Sequence, residues 1–142
     1  MSLRLKVWWL NLLFQVGIVL GFQHQIRPLV PDHFGLNGPD SFVTGHLGSV
    51  LTMILLFNVA GLLFMNLAPL LVTRLPFLAQ HASMTKSVLR LIGWWVLVIA
   101  WTTLPWCLLP AATWMETLMN VVDLCFLGLL ILLLGRNAFK RH

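Results

Sequence analysis

Charge is what this sequence has least of. Charged residues fill 9% of its 142 positions, and four of them, Asp32, Asp40, Glu116 and Asp123, are the entire acidic complement. A soluble domain carries about 25% charged residues. Hydrophobic residues make up 59% and the mean hydropathy is +0.90, which excludes an ordinary soluble fold. Cysteine is also scarce. Cys107 and Cys125 form no Cys-x-x-Cys, which argues against a thiol–disulfide exchange enzyme and leaves two small packing residues. There is no His-Glu-x-x-His, and no histidine sits in the middle of an apolar run. Zincin chemistry and haem held between paired histidines are therefore not expected. The nine Lys and Arg form no run or patch, so the net charge of +5 does not indicate nucleic acid. No internal repeat is visible, which argues against an inverted-repeat transporter.

Four apolar runs are present, at roughly 7–22, 46–73, 91–109 and 117–135. A helix of about 20 apolar residues crosses a hydrocarbon core. The first run is short and interrupted by Asn11 and Gln15, so its helix is expected to extend toward Leu3 and Ile26. Arg4 and Lys6 precede it; Arg74, Lys86 and Arg90 separate runs two and three; Arg136, Lys140 and Arg141 follow run four. Arg27 alone falls in the other set of loops. Lys and Arg near span ends are retained on the cytoplasmic side. The expectation is a single all-α integral-membrane domain over 1–142, a four-transmembrane-helix bundle with both termini cytoplasmic. The expected location is the bacterial inner membrane, where the basic flanks meet anionic lipid headgroups. No small-x-small cleavage site follows the first run, which reads as a retained signal anchor.

Finer expectations attach to single residues. Pro69 kinks or bounds span two, Pro110 ends span three and Gly135 caps span four. Ser83 caps a helix running through Lys86 and Arg90 into span three, while Leu75, Phe77 and Leu78 rest among headgroups. Trp8, Trp9, Trp94 and Trp95 form an inner aromatic belt, Trp106 and Trp114 an outer one. Trp101 lies mid-span and needs a partner for its indole N–H. Asn58 and Asn66, eight residues apart, fall about 40° apart around a helix.

The outward loop, 23–45, holds three prolines and three glycines, which favour a chain of turns over a helix. Ile26, Leu29, Val30, Phe34, Leu36 and Phe42 alternate with polar residues there, so the loop is expected to fold back over the outer mouth of the bundle. It also gathers His24, Asp32, His33 and Asp40, with His46 opening span two. Imidazole and carboxylate groups suit a divalent metal, on His24, His33, His46 and Asp40. The alternative, which the unmatched spacings favour, is that these residues shape the loop; no cofactor is then required. Asp123 is the one acidic residue inside a span. With Asn120 at i−3 and Glu116 at i−7 it makes a polar stripe directed at an outward-opening cavity. The structural alternative is an Asp bonded to Thr102, Thr103 or a tryptophan indole to lock helix packing. A small drug exporter needs such a carboxylate too, but in its first helix, where this chain has Asn11 and Gln15.

The segment Pro28-Leu-Val-Pro31-Asp-His33-Phe34-Gly-Leu-Asn-Gly38-Pro-Asp40 resembles the loop of a bacterial membrane module of unknown function, found in immunity proteins against a sporulation-delaying toxin. Pro31, His33, Phe34, Gly38 and Asp40 match in order and location. The Gly–Asp spacing is one residue short, Ser41 separates Asp40 from Phe42, and the usual Gly-x-Lys is absent. The resemblance covers about residues 8–65. It implies a multi-span inner-membrane protein, with this loop outside, that acts by binding.

The functional expectation is a binding, accessory or immunity-type protein recognising a peptide, lipid or protein partner at the outer face. His33, Phe34, Asp40, Asn120 and Asp123 are its candidate residues. The competing expectation is an enzyme with an acid–base or metal site on His33, Asp123 and Glu116. A third is a subunit of a larger membrane complex.

Overall fold

The computed structural model of the chain describes residues 3–35, 38–67, 70, 72, 74, 82–110 and 113–139. Among them lie helices α1 (Leu3–Gly21), α2 (Leu47–Leu62), α3 (Ala82–Leu108) and α4 (Thr113–Phe139). Between α1 and α2 stand two strands, β1 (Leu29–Gly35) and β2 (Gly38–Thr44). Three helices are long and apolar enough to cross a membrane: Leu47–Asn66, Ala82–Leu108 and Thr113–Arg136. The apolar part of α1, Leu5–Gly21, is shorter.

The core is built by α1, α2 and α3. Trp8, Leu12 and Val19 of α1 meet Val50 and Ile54 of α2, and Leu97, Leu104 and Cys107 of α3. Two features let these helices approach. Gly61 and Gly93 face each other where α2 crosses α3, so each helix presents bare backbone to the other, as small residues do in packed membrane helices. Polar side chains then bond across the same interior. Trp8 Nε1 donates to the Asn58 carbonyl (2.8 Å), and Asn11 Nδ2 donates to Asn58 Oδ1 (2.8 Å). Asn58 Nδ2 donates to Gln15 Oε1 (2.6 Å) and to the Ile54 carbonyl (2.9 Å). The expected partner of Trp101 is Asn11, whose Oδ1 accepts its indole N–H at 2.7 Å. Asn58 and Gln15 are fully buried, so in a lipid setting these bonds replace those that water would make.

The fourth helix is held differently. Half of the apolar window of α3 is buried within the protein, against 6% of that of α4. α4 packs mainly on α3, where Met115 and Met119 close around Trp106. Leu118, Val121, Leu124, Ile131 and Leu132 remain exposed. The architecture is a three-helix core with a fourth helix laid along α3.

The loop between α1 and α2 is a β-hairpin, where a chain of turns was expected. β1 and β2 pair antiparallel through Leu29↔Thr44, Val30↔Val43, Pro31↔Phe42, His33↔Ser41 and Phe34↔Pro39, with irregularities on both sides of His33. Prolines tolerate this because each strand of a two-stranded sheet is an edge, and Val30, Phe34, Phe42, Val43 and Thr44 supply strand formers. Val30 enters the core cluster, which fits the expected cap. The hairpin base is bound to the last turn of α3. Arg27 N donates to the Cys107 carbonyl (2.9 Å), and Arg27 Nη1 donates to the Trp106 carbonyl (3.3 Å). Helix C-termini carry unsatisfied carbonyls and partial negative charge, so Arg27 has a structural task. Gly45 N donates to the Pro28 carbonyl at 2.7 Å. A Cβ at Gly45 would fall on the Arg27 carbonyl, so the return strand passes there only as glycine.

Several boundaries are corrected. α2 passes at Leu62 into a π turn, Leu63–Leu67; the kink or boundary expected at Pro69 lies, with Leu75, Phe77 and Leu78, outside the described residues. Ser83 is inside α3, its carbonyl accepting from Ser87 Oγ at 2.9 Å, rather than capping the helix. α4 continues past Gly135 to Phe139, because the cost of one helical glycine, about 1 kcal/mol, does not end a helix made of leucines. Trp8 and Trp106 are core residues, not belt residues, since each fills a gap between helices.

Candidate functional site: a cleft between α2 and α4

α3 lies between α2 and α4, and the space between those two flanks is a cleft of about 980 Å³. β1 closes one end with Asp32 and His33. Trp95 and Ile99 of α3 form its floor, Phe57 of α2 one wall, and Asn120, Asp123, Leu124 and Leu127 of α4 the other. Helical periodicity accounts for the last set, since positions 120, 123, 124 and 127 share one face.

Asp123 Oδ1 accepts the indole N–H of Trp95 at 2.9 Å. Trp95 is in turn stacked on Phe126, with ring centroids 4.8 Å apart. The other partners considered for Asp123 are engaged within their own helix: Thr102 donates to the Ile99 carbonyl and Thr103 to the Ala100 carbonyl. Asn120 lines the cleft beside Asp123; Glu116 does not. It sits in the first turn of α4, where a carboxylate complements the helix dipole.

His33 and Asp40 face each other across the hairpin, Nδ1 to Oδ1 at 2.5 Å. The hydrogen bond to Asp40 raises the His33 pKa above its ordinary value, followed by the charge of Asp40; slight desolvation opposes this and Asp32 adds to it. A raised pKa means that the folded hairpin favours imidazolium. That stabilisation is complete below the ordinary histidine value of about 6.5 and is lost as pH rises through the raised one. An NMR titration of the His33 ring is expected to give a midpoint above about 6.5, and Asp40→Asn is expected to lower it. An unchanged midpoint in Asp40→Asn would remove the pair as the cause.

The other candidates take local roles. His46 is the N-cap of α2: its Nδ1 accepts from Ser49 N at 3.0 Å, and its own N donates to Ser49 Oγ at 3.1 Å. His24 lies in a short 3-10 turn, Gln23–Gln25. Among the described residues no three His, Cys, Asp or Glu side chains converge as a metal would need. Phe34 occupies a β1 position opposite Pro39; what was expected of its side chain falls outside the described residues. Thus His33, Asn120 and Asp123 share the cleft, with Asp40 behind His33, while His24 and Glu116 stand away from it. Sequence reasoning did not single out Trp95, Asp32 and Phe57 as cleft residues. The signal available was the single span carboxylate, which had to find a donor on a neighbouring helix.

No family model, no curated protein and no solved structure matches this chain.

Proposed function

We propose that this is a four-span protein of the bacterial inner membrane, termini cytoplasmic and hairpin outside, that binds a partner at the outer leaflet in the cleft between α2 and α4. One observation carries the reading. Residues about ninety positions apart in sequence, Asp32 and His33 on the hairpin and Asn120 and Asp123 on α4, line a single cavity. Pockets of this kind, apolar with a few polar groups, are the usual form of a ligand site. The alternating Lys and Arg support the orientation, and the resemblance of residues 28–40 to the immunity-protein loop supports binding over catalysis.

The test is in-cell photo-cross-linking. A photoreactive side chain at Asn120 is expected to yield one adduct of defined mass. The same group at Phe14, exposed on α1, is expected to label bulk lipid only. Identical diffuse labelling from both positions would refute the cleft as a binding site.

A further inference from the structure

We infer that the cleft takes a lipophilic monovalent cation, an organic onium or ammonium group carried on an apolar body. This rests on the cleft being a binding site, as proposed above. The chain has a net charge of +5 and four acidic residues. Two of those four line this cavity, and among its described lining residues there is no Lys or Arg. His33 does not reverse the balance, because its charge is matched by Asp40. Together Asp32, His33 and Asp40 sum to −1 with the imidazole protonated.

Asp123 lies ten residues into α4, about 15 Å along the helix. Trp95 satisfies one of its oxygens; among the described residues none hydrogen-bonds the other. With α4 spanning the bilayer as proposed above, a carboxylate at this position favours a compensating partner, which an entering cation supplies. The rings of Phe57 and Trp95 add aromatic surface that attracts cations, and Ile99, Leu124 and Leu127 offer an apolar bed. An anion would meet two carboxylates, and a bare metal ion would find too few ligands.

The probe pair is tetraphenylphosphonium and tetraphenylborate, alike in shape and opposite in charge. Each is measured by equilibrium dialysis against the purified full chain in nonionic detergent. Saturable binding of the phosphonium alone is expected, weakened about tenfold or more by Asp123→Asn and less by Asp32→Asn. Glu116→Gln, outside the cleft, is expected to bind as wild type does. Asp123→Asn keeps an oxygen for Trp95, and an unchanged size-exclusion profile shows that it folds. Equal binding of both probes overturns the cation assignment, as does phosphonium binding indifferent to Asp123→Asn. If either occurs while the Asn120 adduct persists, the cleft remains a binding site for another ligand class. Saturable binding of neither probe overturns the cation assignment, and together with no discrete adduct it overturns the binding reading as well. An Asn120 adduct consisting of a second copy of this chain, unaffected by phosphonium, also overturns the inference.

Discussion

Asn58→Leu is expected to destabilise the protein by about 2–4 kcal/mol, measured by unfolding in mixed micelles. The side chain donates to Gln15 and Ile54 and accepts from Asn11. Interhelical hydrogen bonds in membranes average about 0.6 kcal/mol and reach about 1.7. The larger part of the loss therefore comes from stranding buried groups, at about 1–3 kcal/mol each. Gln15 separates the two contributions. Its Oε1 accepts from Asn58, but its buried Nε2 has no partner among the described residues. Gln15→Leu removes that stranded donor, and Asn58 keeps its bond to the Ile54 carbonyl. The single Gln15→Leu change is expected to cost much less than Asn58→Leu, and the double variant less than the sum of the two. Additive losses would show that the network is not the unit described.

Gly93→Ala is expected to cost about 1–3 kcal/mol, the range for overfilling a packed interface. A Cβ at Gly93 would press on the Met65 side chain and come within 2.9 Å of the Gly61 carbonyl and 3.0 Å of Met65 N. Two of these are backbone atoms, which yield only by separating the helices. The facing change, Gly61→Ala, is expected to be milder. Its Cβ meets the Leu97 side chain at 2.9 Å and the Gly93 carbonyl at 3.2 Å, and a leucine side chain can rotate away. Thermal unfolding of both variants in one detergent ranks them. The reverse order would contradict the packing.

Much of this fold is written in residue type. Leucine-rich runs mark the helices, His46 marks the start of α2, and a lone mid-span Trp101 required the acceptor that Asn11 provides. Other features depend on partners that no local pattern names. Within the π turn at Leu63–Leu67, Met65 packs against α3 at Gly93, a contact between distant residues. The hairpin was hidden because Pro and Gly signal turns, yet in a two-stranded sheet the same prolines sit harmlessly on edges. The site was half legible. Asn120 and Asp123 share a helical face by spacing, and His33 and Asp40 were visible as loop candidates, though not as partners of each other. That the loop and α4 border one cleft is set by Arg27 fastening the hairpin to the end of α3, a contact between residues 79 positions apart.

The unequal attachment of α4 also bears on how the chain is made. Synthesis runs from the N-terminus, so α1, the hairpin, α2 and α3 leave the ribosome before α4. The interhelical bonds of Asn58, Asn11 and Trp101, and the clasp of Arg27 on Trp106 and Cys107, all lie within that stretch. None waits for α4. α4 therefore adds the cover over Trp106 and the far wall of the cleft. The cleft cannot exist until α4 has arrived.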